Sequence, residues 1–183
     1  RSYVKEHYPK ISTTLMDHTT ANTHSKAKKL VAQFYEEKKS ILIASNLALP
    51  YLNKPIDCIG IVSYEAMRSV PTWRADETVF GTLLTLREIA FKDVVVQTRS
   101  EPDELLQLAK KGLVDQFYDG EIAIRKSLGY PPFSTFILLT FSGNKEQAQE
   151  TETLITGRLD EYDPLFYNGP LSNATKTIRF GLI

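Results

Sequence analysis

The chain has 183 residues, 42% of them hydrophobic and 24% charged, which suits an ordinary globular protein of one large domain, or one domain and part of a second. Lysine plus arginine equals aspartate plus glutamate, so the formal net charge is zero. That excludes a global electrostatic footprint for nucleic acid or membrane, and any DNA contact has to come from a local patch.

Residues 2–8 predict a short helix that Pro9 stops. ISTTLM, 11–16, has strand character, and DHTTANTHS is turn material with N-cap candidates in Asn22, Thr23 and Ser25. In SKAKKLVAQFYEEKK, Ala27, Leu30, Val31 and Phe34 fall at i, i+3, i+4 and i+7, the signature of one apolar helix face, with the lysines largely on the other side. SILIAS, 40–45, and IDCIGIVS, 56–63, are continuous apolar runs of the kind expected for parallel strands covered on both faces. The single cysteine, Cys58, lies in the second run and is expected to be a small buried side chain; it offers no disulfide and no metal spacing. His7, His18 and His24 lie in polar segments and are expected at the surface.

Residues 74–90 predict a helix with Asp76 and Glu77 in its first turn, where the dipole favours them. DVVVQT, 93–98, predicts a strand. Residues 101–128 predict helix, with Pro102 tolerated near its start and Gly112 and Gly120 as candidate breaks. In GYPPF, Gly129 can take a left-handed cap, and the residues before proline avoid helical geometry, so the helix must end there. A strand in FSTFILLTFSG, a helix over 145–162, a turn in PLFYNGP and a last strand in TKTIRFGLI complete the order. Strands alternating with helices before the double proline predict an α/β fold with a parallel sheet. The shorter strand, helix and strand beyond it predict a small α+β domain. The expected domains are 1–128 and 129–183. The start without methionine and the finish inside an apolar strand suggest a fragment.

Motifs for chemistry are sparse. There is no Gly-x-x-x-x-Gly-Lys-Ser/Thr loop to cradle phosphates, no G-x-S-x-G elbow and no H-E-x-x-H. Glu36–Glu37 and Asp76–Glu77 are adjacent in sequence, so on a helix their side chains diverge and make poor acid–base pairs. By these tests the chain alone is not an enzyme. No apolar run reaches transmembrane length and no signal peptide is visible, so a cytoplasmic protein without a membrane partner is expected.

Several stretches together resemble one family. Glu121-Ile-Ala-Ile-Arg125-Lys-Ser-Leu128-Gly129-Tyr130-Pro131-Pro132-Phe133 is the most specific. Trp73-Arg74-Ala75-Asp76-Glu77, the strand Val94–Thr98, and Tyr8-Pro9 through Met16-Asp17-His18-Thr19-Thr20 follow the same pattern in order. In the last of these the match needs a one-residue shift, or His18 in place of an aspartate. Gly169-Pro170 and Arg179-Phe180 extend it. These stretches resemble the primosomal protein N′ (PriA) family of superfamily 2 replication-restart DNA helicases.

The resemblance implies an incomplete RecA-like helicase lobe 2, a parallel sheet flanked by helices, followed by a truncated α+β C-terminal domain. It implies ATP and Mg²⁺ held mainly by a first lobe outside this chain, and zinc bound by cysteines that are likewise not in it. It implies forked or single-stranded DNA, single-strand binding protein and primosome proteins as partners. Thr19, Thr20, Ser45, Asn46 and Arg179 become candidate DNA contacts, and Arg74 and Glu77 candidate lobe-interface residues. Turn chemistry alone is the plainer account of Thr19, Thr20, Ser45 and Asn46; for Arg74 a salt bridge with Asp76, Glu77 or a neighbouring element stands level with the interface role.

Two motifs depart from the family. Ala44-Ser45-Asn46 and Pro50-Tyr51 stand where the family has Gly-Thr-Gln and Lys-Gly. Thr85-Leu-Arg87-Glu-Ile-Ala-Phe-Lys92 stands where it has Gln-x-x-Gly-Arg-x-Gly-Arg. Arginine fingers accelerate phosphoryl transfer about 10³- to 10⁵-fold in other enzymes, and Arg87 is the one weak substitute, with a helix-surface role as the simpler account. The expected function is therefore a divergent restart protein that binds forked or single-stranded DNA, with degenerate ATPase motifs in this lobe. An active helicase of which this is the rear part, and a motor-dead interaction scaffold, are the alternatives.

Overall fold

The Ser12–Met16 run and the Ser40–Ala44 run meet as parallel strands, β1 and β2, paired from Ser12 opposite Ser40 to Met16 opposite Ala44. These and all other positions come from a computed structural model that describes residues 2–70, 72–99, 103–135, 137–162, 164–168 and 176–182. Helix α1, Ser2–His7, precedes β1 and ends before Pro9, as its missing N–H requires. Helix α2, His24–Glu36, connects the two strands. Of the three capping candidates it is Thr23 that acts, its hydroxyl accepting from the Lys26 N–H at 3.3 Å. The predicted apolar face is real: Ala27 and Val31 are buried with Met16, Ala21 and Ala48, and Leu30 packs against that cluster. A 3₁₀-helix, Asn46–Tyr51, follows β2.

A second parallel pair, β3 (Ile56–Ile61) and β4 (Ala90–Val96), is a separate ladder among the described residues. Between its strands lie α3 (Tyr64–Arg68), which the sequence did not predict, and α4 (Ala75–Ile89), which it did. Helix α5, Glu104–Lys111, follows β4. Helix α4 buries Val79, Phe80, Thr82 and Leu83 and touches α3, α5 and β4. Strand β4 begins earlier than predicted because Ile56 pairs with Ala90, directly at the end of α4.

The expected cover on both faces of these strands does not hold. Ile59, Ile61, Val94 and Val96 are buried or half-buried, whereas Cys58, Val62, Phe91 and Val95 are exposed. Cys58 is therefore not a buried core residue. It shares the outer face with Gly60 and Val62 because strand side chains alternate, and nothing among the described residues covers that face.

The chain divides into two compact units, Arg1–Leu113 and Val114–Ile183. Helix α6, Val114–Leu128, which the sequence placed before the expected 128/129 junction, groups with the second unit. Gly112 breaks the predicted long helix with φ 71°; Gly120 stays helical inside α6. One interior glycine costs a helix only about 1 kcal/mol against alanine. At its end α6 closes as predicted. Gly129 takes φ 66°, the Tyr130 N–H donates to the Arg125 carbonyl at 2.8 Å, and the Gly129 N–H to that of Lys126 at 3.4 Å. The Pro131–Pro132 bond is cis.

The second unit continues with β5 (Ile137–Gly143), α7 (Lys145–Leu159) capped by Asn144, β6 (Leu165–Asn168) and β7 (Lys176–Leu182). The three strands form an antiparallel sheet in the order β5-β7-β6. PLFYNGP is thus not simply a turn: Leu165–Asn168 is a strand, recruited by pairing with Gly181 to Ile178. Pro102 and Gly169–Pro170 lie outside the described residues.

Candidate functional site

Parallel strands present their ligand-binding loops at their carboxyl ends, and four of the predicted contacts sit there. After β1 the chain turns through Asp17, His18, Thr19 and Thr20; after β2 it passes through Ser45 and Asn46. The Ser45 N–H donates to the Met16 carbonyl at 3.2 Å, which ties the two loops together.

The first loop is organised by Asp17. Its Oδ1 accepts from the Thr19 N–H at 2.9 Å, the Thr20 N–H at 2.9 Å, the Thr19 hydroxyl at 2.6 Å and the Thr20 hydroxyl at 3.1 Å. The Thr19 hydroxyl, the two backbone N–H groups and the Thr20 hydroxyl hold the Asp17 carboxyl far below the usual carboxylate range. The Thr20 Oγ1 also accepts from the Asp17 N–H at 2.9 Å. Both threonine hydroxyls are therefore committed as donors within the turn.

The second loop is different. Ser45 stands at the N-cap position of the 3₁₀-helix, yet its side chain makes no capping bond. Ser45 and Asn46 are both exposed, and neither side chain has a hydrogen-bond partner among the described residues. They supply a hydroxyl and an amide beside the ordered Asp17 turn.

The other predicted residues belong to other elements. Arg74 and Glu77 meet at the start of α4, Nε to Oε2 at 2.8 Å, and the Arg74 guanidinium lies 5.6 Å from the Trp73 ring centroid. Arg87 is exposed in the last turn of α4 and lies across the left-handed cap of α5; a Cβ on Gly112 would stand 2.6 Å from its Nη1. Arg179 is in β7, the middle strand of the second unit's sheet, opposite Thr140 and Tyr167.

A polar network on α3, α4 and α5 was not legible in the sequence. Arg68 binds Asp76 with two nitrogens at 2.9 Å each and Asp103 with a third at 2.9 Å. Asp103 caps α5 at the Leu106 N–H (3.0 Å) and accepts from the Tyr64 hydroxyl at 2.9 Å. Burial, then the hydrogen bond to Asp103, pushes the Tyr64 phenol up; the hydrogen bond to Asp76 raises Arg68 further. Nearby, Glu65 accepts from the Arg99 N–H at 2.5 Å and the Thr98 hydroxyl at 2.8 Å, which lowers its carboxyl. Every strong acceptor here has a donor, so the network is a brace. Its only advance signal was Asp103 just before an apolar helical run. Among the described residues no cluster of histidine, cysteine, aspartate and glutamate could hold a metal ion.

Comparison with known proteins supplies the remaining observation. No protein-family model matches the chain. It is similar to the replication restart protein PriA of Borreliella burgdorferi, 32% identical over 127 residues, covering 66% of this chain and 19% of the relative. It is 28% identical to PriA of Bacillus subtilis over 133 residues, covering 69% of this chain and 16% of the relative. With PriA of Chlamydia trachomatis it shares 27% over 178 residues, 91% of this chain and 24% of the relative. The chain spans about a fifth of the length of these curated relatives.

Proposed function

We propose that this chain, PriA-like over most of its length, is part of a replication-restart DNA helicase and contacts forked or single-stranded DNA through the strand ends of β1 and β2. On this reading β1 to β4 and their helices belong to a RecA-like second lobe, and residues 129–183 form a small C-terminal α+β domain in a cytoplasmic protein. The observation that carries the proposal is the strand-end edge. Ser45 and Asn46 are exposed and without partners among the described residues, beside a turn that Asp17 holds rigid. Hydroxyl and amide groups at such an edge grip phosphate oxygens without a high net charge. Thr19 and Thr20 then act chiefly by shaping the turn, since their hydroxyls already donate to Asp17.

Arg74 and Glu77 are the groups proposed to meet a neighbouring lobe. Arg179 is proposed to meet DNA or an acidic segment of single-strand binding protein or a primosome protein. ATP and Mg²⁺ would be held mainly by a first lobe, and zinc by a separate module, outside these residues. Arg87, whose guanidinium lies beside the α5 cap, has no part in this DNA contact.

The test is binding of a fluorescein-labelled fork to the full chain, read by anisotropy. Losing two hydrogen bonds to phosphate, each about 1 kcal/mol or more, predicts that the Ser45→Ala, Asn46→Ala double variant binds at least tenfold more weakly. Wild-type affinity in that variant would remove the strand-end edge as the DNA contact. Arg87→Ala is expected to bind as the wild type does.

A further inference from the structure

Zero net charge conceals an imbalance. Residues 1–54 carry nine lysines and arginines against four aspartates and glutamates, and residues 55–183 carry thirteen against eighteen. The basic excess therefore belongs to the α1–β1–α2–β2 part of the first unit. Within it, α2 and the end of the 3₁₀-helix enclose a groove of about 380 Å³.

The lining is aromatic and cationic. His24, Lys28 and Tyr35 come from one face of α2, and Tyr51 and Lys54 from the opposite wall. The rings are fixed by their polar ends. The Tyr35 hydroxyl donates to the Lys54 carbonyl at 2.8 Å and accepts from the Lys54 N–H at 3.2 Å. The Tyr51 hydroxyl and His24 Nδ1 are 3.0 Å apart, with their rings 5.2 Å centre to centre. Lys54 Nζ lies 5.4 Å from the Tyr35 ring centroid, so cation and ring already share one site. Among the described residues that line the groove, Glu36 is the one acid.

Pre-positioned rings beside ammonium groups are the recognition chemistry of single-stranded nucleic acid, whose bases stack while its phosphates neutralise lysines. An acidic peptide would use the lysines but leave the rings without a function. We infer that the groove between α2 and the 3₁₀-helix binds a single-stranded nucleic-acid segment, one base against the Tyr51 and His24 rings and the flanking phosphates on Lys28 and Lys54. The inference rests on the nucleic-acid reading above and adds a second contact to it. The 3₁₀-helix that starts at Asn46 ends at Tyr51, so one short element joins the strand-end edge to the groove. At about 2 Å per residue, the two contacts stand on the order of 10 Å apart.

The experiment titrates the full chain into a fluorescein-labelled oligothymidylate at several salt concentrations. The Lys28→Gln, Lys54→Gln double variant is expected to bind on the order of tenfold more weakly, with a salt slope smaller by about 1.4. Tyr51→Ala is expected to lose on the order of tenfold and Tyr51→Phe almost nothing, because the ring and not the hydroxyl carries stacking. Tyr51 also packs on the core, so the lysine variant, at the surface, decides the matter. Wild-type affinity and slope in that variant, with Ser45 and Asn46 still required, would overturn the groove and leave the strand-end reading standing. No oligothymidylate binding by the wild type would overturn the groove, and no binding of the labelled fork either would overturn both. Displacement of oligothymidylate by a glutamate-rich peptide at equal charge would overturn the groove's preference for nucleic acid.

Discussion

Asp17 is the clearest case of a side chain whose chemistry is set by its neighbours. A carboxyl whose folded value lies below its unfolded value of about 4 stabilises the fold above that value, and the contribution disappears as pH falls through the lowered one. Asp17 and Glu65 both belong to this class, through Thr19 with Thr20 and through Arg99 with Thr98. Asp17→Asn should therefore lower the thermal midpoint at neutral pH, and the gap to wild type should close only well below pH 4. Midpoints measured by circular dichroism from pH 7 to pH 2 check this; a gap that closes near pH 5 would contradict it. Gly112 gives a second expectation. Its positive φ disfavours a side chain, and the flexible Arg87 tip beside it can move aside. Gly112→Ala should cost about 1 kcal/mol, from backbone strain more than from collision, and Arg87→Ala should not rescue it in urea denaturation. Arg68→Ala should cost about 1–2 kcal/mol by leaving Asp103, 7% exposed, short of one charged donor.

The helices follow their sequence periodicity closely and the strands less so. Helix α4 shows why. Its buried Val79, Phe80 and Leu83 lie on one face and meet α3, α5 and β4. Phe80→Ala should destabilise the chain by about 3–5 kcal/mol. Two apolar side chains of β4 behave in the opposite way, with Phe91 72% exposed and Val95, on the outer face, 64% exposed. Phe91→Thr and Val95→Thr should each shift stability by about 0.5 kcal/mol or less, and denaturant melts of the three variants side by side test the contrast. A large loss from Val95→Thr would mean that this face is covered in solution.

Charge is distributed over the molecule in a way its net value hides. The first 54 residues have a basic excess and the remainder an acidic one of equal size. A polyanion should therefore be held by one end of the sequence. On a heparin column, Lys26→Gln with Lys28→Gln and Lys29→Gln should lower the salt needed for elution. Lys110→Gln with Lys111→Gln, at the end of α5, should leave it unchanged. Equal effects of the two variants would mean that retention follows net charge and not the basic patch.

The local features could be read without the structure because their causes are local. Pro9 removes a donor, Asn22, Thr23 and Ser25 offer a helix cap, and Ala27 with Val31 marks a face. Gly129 accepts a left-handed turn because it has no Cβ. The family motifs also lie along the chain, and the PriA relatives bear that resemblance out. What required the tertiary structure depends on partners distant in sequence. Cys58 sits in an apolar run, yet alternation and an uncovered sheet face put it outside. Leu165–Asn168 becomes a strand only because β7 lies beside it. Ser45 and Asn46 keep their polar groups exposed because nothing among the described residues folds against them. The Arg68 brace joins residues up to 39 positions apart. Backbone chemistry and periodicity act over a few residues and are written in order along the chain. Burial, pairing and the availability of a side chain depend on what folds against it, and order along the chain does not record that.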